Sequence, residues 1–401
     1  MRHALRKIAL ICLAVFCLGP LSPGLAAGEA PCLTGAGNVS VPLCLNREGA
    51  ERITDGNSGT YARVPGLTGI SVSLAEAPDS VSLSWRTAPK RFLLRQYDGT
   101  GRELSRQTVE NGPLCAVYPL LADARRIRIT GGDLLLELCD LAAYGPGDLP
   151  EEIHPWRAAP DKTDLLIVSA HCDDELLFFG GAIPYYAGEL GYAVEVIYMA
   201  HGDRVRQEEA LSGLWTCRMY NAPVFLGLRD EYCLSLEEAE RYWDREKVTE
   251  TLVELLRRLR PEVVMTHDEG GEYGHGAHRL TSACVLDAVK LAGEETAFPA
   301  SKKQYGVWQV KKLYRHLGPM EGRTRIDWNI PLAAFGGKTA LAVAEEGFQN
   351  HSSQFDVYDT VYNPGLHSDW FQLAYSAVGP DEEKNDLFEH IPADCITVGK
   401  E

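Results

Sequence analysis

The stretch Ala170-His171-Cys172-Asp173-Asp174-Glu175 decides the fold. It follows the apolar run Leu165-Leu166-Ile167-Val168 and precedes Leu176-Leu177-Phe178-Phe179-Gly180-Gly181. An apolar run of strand length, a polar break and a longer apolar segment predict strand, loop and helix. In open α/β sheets, ligands bind outside the carboxyl ends of the strands. One imidazole and three carboxylates therefore stand where such a fold does chemistry. That much negative charge in one turn is costly without a counter-charge, and a bound cation is the simplest one. Asp173 or Asp174 alone would read as a cap of the following helix.

Outward from this stretch, strand and helix patterns alternate. Strands are expected at Leu165-Val168, Ala193-Met199, Val224-Leu226 and Val263-Thr266, with a late one at Lys312-His316. Helices are expected over 176–190, 206–220, 246–259 and 279–291, with Gly191 and Pro261 as stop signals. This alternation predicts a Rossmann-like, mostly parallel sheet with helices on both faces. Beyond Gly318 the pattern reads as irregular.

After the strand Val263-Thr266 comes His267-Asp268-Glu269-Gly270-Gly271-Glu272-Tyr273-Gly274-His275-Gly276-Ala277-His278. This is a second loop at a strand's carboxyl end, and its glycines allow close approach to a ligand. Two histidines facing a histidine and carboxylate cluster outweigh the reading of each as surface. A catalytic zinc takes three protein ligands and leaves one position open. His171, Asp174 and His278 supply two imidazoles and one carboxylate. Asp173 is left beside the metal to take a proton from water. His275 can stabilise an oxyanion or protonate a leaving amine. Two imidazoles and one carboxylate also suit ferrous iron, so another divalent metal such as Fe2+ stays open.

These two loops resemble those of the PIG-L/LmbE family of zinc-dependent N-acetylglucosamine deacetylases, over roughly residues 163–320. The family's first motif is Ala-His-Pro-Asp-Asp-Glu; Ala170, His171, Asp173, Asp174 and Glu175 match, and Cys172 replaces the proline. Its second motif is His-Pro-Asp-His; His275 and His278 match, whereas Gly276 and Ala277 do not. The resemblance implies zinc on His171, Asp174 and His278, Asp173 as general base, and His275 as acid or oxyanion stabiliser. It also implies a place for Tyr273 near the scissile amide. Arg206 and Glu209 fit an Arg-x-x-Glu pattern at the substrate side. The family's second-motif aspartate supports the neighbouring histidine, which Ala277 cannot do; Asp268 and Glu272 are the candidates to replace it.

Residues 31–148 differ in character. Alternating runs such as Val81-Ser82-Leu83-Ser84-Trp85 and Phe92-Leu93-Leu94-Arg95-Gln96-Tyr97 are separated by Asp55-Gly56, Asp98-Gly99 and Gly131-Gly132. These predict an all-β sandwich. The segments Ile53-Thr54-Asp55-Gly56-Asn57-Ser58-Gly59-Thr60, Tyr97-Asp98-Gly99-Thr100-Gly101, Glu137-Leu138 and Tyr144-Gly145 are similar to those of discoidin-like (F5/8 type C) sandwiches. That similarity implies a glycan-binding module, with a purely supporting sandwich as the alternative. Residues 149–162 read as a linker, and 163–401 as the deacetylase-like domain.

Residues 1–27 have the basic, apolar and small-residue order of an export signal. Export to the exterior or cell surface is expected, with no membrane span after cleavage. It also makes disulfides plausible, and Cys32 with Cys44 and Cys115 with Cys139 are the expected pairs. The formal net charge of -17 argues against nonspecific nucleic-acid binding. The sequence specifies no oligomeric state. The leading expectation is an exported zinc hydrolase that removes N-acetyl groups from an amino-sugar or glycan substrate. Its competitors are an inactive glycan-binding or adhesive protein on the same scaffold and a non-haem iron oxygenase.

Overall fold

In the computed structural model, which describes residues 29–41, 49–354 and 364–398, two antiparallel sheets come first. Strands β1 (Val39–Ser40), β2 (Ala62–Pro65), β3 (Ile70–Ser73), β4 (Ser80–Trp85), β5 (Arg91–Tyr97), β6 (Glu103–Glu110), β7 (Cys115–Pro119), β8 (Arg126–Gly131) and β9 (Leu135–Tyr144) form them. Their orders are β1-β3-β8-β5-β6 and β2-β9-β4-β7. Alternate residues such as Val81, Leu83 and Trp85 of β4 and Phe92 and Leu94 of β5 point into a shared core. The period-two pattern is therefore the sandwich interior.

The expected pair Cys115 and Cys139 is corrected: both are free thiols. They sit on β7 and β9, which flank β4. Two strand spacings of about 4.8 Å exceed the roughly 7 Å across which a disulfide closes. The export signal and the Cys32–Cys44 pairing lie outside the described residues.

The second domain holds β10 (Leu165–Ser169), β11 (Val194–Ala200), β12 (Val224–Leu228), β13 (Val263–Thr266), β14 (Lys312–His316), β15 (Thr324–Arg325) and β16 (Trp370–Ser376). Their order is β12-β11-β10-β13-β14-β16-β15. The strands from β10 to β14 pair in parallel, while β16 is antiparallel to β14 and β15. All residues of β10, β11, β13 and β14 are buried, as a strand covered on both faces requires. Leu165 and Ile167 enter one core, and Leu166 and Val168 the other. The chain reverses direction across the sheet between β10 and β13. Ligand sites form at such a switch point.

The helix expected over 176–190 is broken. Asp174–Leu177 is helical, and a π-helical turn follows at Pro184–Glu189. Gly180 has φ +52°, which stops the first helix, and its position faces the Trp328 ring. Helices Arg204–Thr216, Arg245–Leu259 and Gly276–Ala292 lie near their expected places. The tail is not irregular. It supplies β15, β16 and the helix Ala340–Phe348, and Trp328, Phe348 and Phe371 complete one core.

The segment before β10 packs rather than floats. Trp156 is buried, and His154 stacks on Trp215 at 4.5 Å between ring centroids. No helix among the described residues is long and apolar enough to cross a membrane.

Candidate metal centre

The loop after β10 is fixed by its own hydrogen bonds. The Ser169 hydroxyl donates to the His171 carbonyl at 2.7 Å, and the His171 amide donates to Asp174 Oδ2 at 2.8 Å. The Asp173 amide donates to Glu175 Oε2 at 2.9 Å. Asp173 has φ +136°, a conformation that costs a residue with a Cβ on the order of 1–3 kcal/mol. The loop thus holds strain at the residue expected to act as base.

The loop after β13 meets it. His171 Nδ1 lies 3.2 Å from Asp174 Oδ2 and 3.2 Å from His278 Nε2. His278 Nε2 lies 3.4 Å from Asp174 Oδ2. Metal–ligand bonds of about 2.0–2.1 Å in tetrahedral geometry set ligand atoms ~3.3 Å apart. The three predicted ligands therefore already stand at the edge lengths of one coordination tetrahedron. His171, His275 and His278 likewise offer atoms within 4.8 Å of one another, as do Asp174, His267 and His278.

Tautomers sort these sets. His267 Nε2 accepts the Ala170 amide at 2.8 Å, so its lone pair is taken. Its Nδ1 faces Glu272 Oε1 at 3.1 Å. His278 Nδ1 faces Glu272 Oε2 at 2.6 Å, which leaves Nε2 free toward the ligand cluster. His316 Nδ1 also lies 3.0 Å from Glu272 Oε1. Of the two candidates for the missing aspartate, Glu272 does the work, and Asp268 instead donates its amide to Glu272. Gly276 has no side chain for a reason: a Cβ there would lie 2.4 Å from the Ser235 carbonyl oxygen.

Charge follows geometry. Burial raises Asp174, but His278, His267 and His171 together hold it well below the ordinary carboxylate range. Burial and the adjacent Asp174 carboxylate push Asp173 up to about 7, with Arg206 opposing. Burial, together with His171 and His278, pushes His275 down to about 3. His275 Nδ1 accepts the Ala277 amide at 3.2 Å, so the neutral ring carries its proton on Nε2.

The remaining expected site residues divide. Arg206 lies 3.3 Å from Asp173 Oδ2 and donates to the Cys172 carbonyl at 2.8 Å. Tyr273 is half exposed beside the rings of His275 and His278. The buried Glu209 carboxylate accepts the Ser352 hydroxyl at 2.9 Å and the Ser353 amide at 2.8 Å, both from the tail. Cys172 is buried in the core beneath the loop, and burial pushes its thiol well up. Sequence reasoning missed Asp230, whose Oδ1 lies 3.5 Å from His171 Nε2 and whose Oδ2 lies 3.2 Å from Arg206. Its position just after β12, on a third carboxyl-edge loop, was the available signal.

Fold and site together define an α/β protein with a buried histidine–carboxylate centre at the sheet's switch point, able to hold a divalent metal. Residues 166–289 match the family model described as PIG-L: GlcNAc-PI de-N-acetylase. It is 28% identical over 180 residues to 1D-myo-inositol 2-acetamido-2-deoxy-alpha-D-glucopyranoside deacetylase 1 of Catenulispora acidiphila, covering 37% of this chain and 54% of that one. It is 25% identical over 293 residues to the Streptomyces scabiei deacetylase of the same substrate name, covering 57% of this chain and 90% of that one. The chain thus spans about half of the first relative and most of the second. Among solved structures, N,N'-diacetylchitobiose deacetylase from Pyrococcus horikoshii is similar at 16% identity and a TM-score of 0.39, covering 53% of this chain and 83% of that one.

Proposed function

We propose that this chain is an exported zinc-dependent N-deacetylase that hydrolyses the acetamido group of N-acetylglucosamine-type amino sugars or glycans and releases acetate. The observation that carries this reading is the mutual 3.2–3.4 Å spacing of His171 Nδ1, Asp174 Oδ2 and His278 Nε2, with Asp173 left over beside them. The donor set fits a divalent ion: its members are buried, and Glu272 fixes His278 with Nε2 free. When bound, such an ion supplies a Lewis-acid charge that acidifies water and polarises an amide carbonyl.

The chain's own residues do the rest. Asp173 accepts the proton of the attacking water. Arg206 holds that carboxylate in place and is itself anchored by Asp230. His275 donates its Nε2 proton as a hydrogen bond to the oxyanion that develops on the acetamido carbonyl oxygen. Asp173 then returns its proton to the leaving nitrogen. Water adds to carbon, the C–N bond breaks, and acetate and a free amine leave. Tyr273, half exposed beside His275 and His278, is the residue this reading assigns to an incoming amino sugar. The inactive-scaffold alternative loses its main support, because Glu272 does the task that Ala277 cannot.

The sandwich has a supporting role in this reading. The Arg204 guanidinium donates to Ser84 Oγ at 2.9 Å and to Cys115 Sγ at 3.3 Å, and Ser58 bonds Glu208. These contacts tie the sandwich to the helix that carries Arg206. The test is acetate release from acetylated amino sugars by purified protein, with and without chelator, alongside metal analysis. Release that stops with chelator and returns with zinc is expected. Release indifferent to chelator would overturn the metal reading, and no release from any acetylated amino sugar would overturn the activity.

A further inference from the structure

A cavity lies beside the loop that carries Glu269 and Glu272. Neighbouring residues alternate in direction along the elements that flank it. On β14, His316 reaches Glu272 while Arg315 faces the other way. On the helix Gly276–Ala292, His278 reaches the metal cluster while Arg279 does not. Arg315 and Arg279 line this cavity of about 300 Å³ together with Arg245 from the start of the neighbouring helix. Three arginines thus line one space in a chain whose formal net charge is -17. Two carboxylates, Glu269 and Asp287, also line it.

The arrangement of partners is uneven. Arg245 is held by two carboxylates, Asp287 at 2.7 Å and Glu240 at 3.4 Å. Arg279 has its Nε on the Gly270 carbonyl at 2.8 Å. Arg315 is 7% exposed, and its Nη1 pairs with Glu269 while its buried Nε has no partner among the described residues. A buried donor left without a partner is costly. Glu269 itself is 69% exposed at its side chain, so it holds Arg315 by one end from a solvated position. A guanidinium binds an oxyanion best through two parallel N–H groups, and Glu269 uses only one.

We propose that this cavity is a binding site for a phosphate-type oxyanion, with the Glu269 carboxylate as the internal group it displaces. Arg315 would give Nε and Nη to the anion, and Arg279 and Arg245 would neutralise the rest of its charge. The loop running from Glu269 to Glu272 joins this site to the metal centre, so the anion sits three residues from the carboxylate that orients His278. The inference does not depend on the deacetylase reading.

The test is calorimetric titration of the full chain with inorganic phosphate, and with a phosphorylated monosaccharide and its unphosphorylated counterpart. Each titration is repeated on chelator-treated protein, so that phosphate held by a metal is not counted. Saturable one-site phosphate binding that survives chelation is expected. Arg279→Gln should weaken it at least tenfold, Arg245→Gln should weaken it as well, and Glu269→Gln should tighten it at least threefold. Tighter binding of the sugar phosphate than of free phosphate would assign the anion to a glycan substituent, and equal or weaker binding would assign it to a free oxyanion. Binding that vanishes with the metal, or affinities unchanged in both Arg279→Gln and Glu269→Gln, would overturn the proposal. The opposite signs expected for these two variants separate a lost site from a misfolded chain.

Discussion

Glu272 shows how much one side chain can decide. Its carboxylate meets His267, His278 and His316 and sits in a backbone turn with φ +48°. Replacing it with Ala should lower metal affinity by about 10–100-fold, because His278 would lose the partner that fixes its tautomer; metal titration with a competing chelator measures this. Asp173→Asn should keep the metal content and lower kcat by about 10²–10⁴-fold, since the amide cannot accept the proton. Full turnover in that variant would remove Asp173 from the base role. Away from the site, burial holds the Glu195 carboxyl well above its ordinary value of 4.5. Between that value and the folded-state one, the folded chain binds a proton that the unfolded chain has released. Stability therefore falls as pH rises through this window. Glu195→Gln should flatten that decline in urea melts taken at successive pH values, and an unchanged slope would assign the dependence to other groups.

At the scale of elements, the break after Leu177 separates the helix Asp174–Leu177 from the turn Pro184–Glu189. The apolar residues over 176–190 have helical density, and from sequence they read as one helix. The tertiary contact that breaks it is invisible locally. At Gly181 a Cβ would lie 2.6 Å from the Ala340 Cβ, in a helix far along the chain. Gly181→Ala should therefore destabilise the fold by about 1–3 kcal/mol through overpacking, read as a lower denaturation midpoint with an unchanged m-value. Helices with clear caps behaved otherwise. Asp244 caps the helix Arg245–Leu259 at Lys247, and Arg260 in the left-handed region ends it before Pro261. Cap chemistry is local, so it was legible.

For the whole molecule, the tail is a structural part of the sheet. Lys312 of β14 is fully buried, and its Nζ meets Asp381 Oδ1 at 2.5 Å. Asp381 Oδ2 also accepts the Tyr314 hydroxyl at 2.6 Å and the Thr324 hydroxyl at 3.2 Å. Asp381→Ala would strand a buried ammonium, a loss of about 3–5 kcal/mol. Denaturant unfolding of the variant measures it, and a wild-type midpoint would show that Lys312 finds water or another partner. The same tail bonds Glu209 through Ser352 and Ser353, a contact that a local motif cannot show.

By itself, the sequence determined the sandwich, the parallel sheet and the two loops whose histidines and carboxylates meet. These follow from period-two alternation, buried strand runs and residue chemistry at strand ends, all set over a few neighbouring positions. Only the tertiary structure decided that Glu272 replaces the absent aspartate, that Asp230 braces His171 and Arg206, and that the tail completes the sheet and occupies Glu209. Those outcomes depend on which side chains meet across long separations. Burial then enforces them, because an unpartnered charge inside the protein costs more than any local preference can supply.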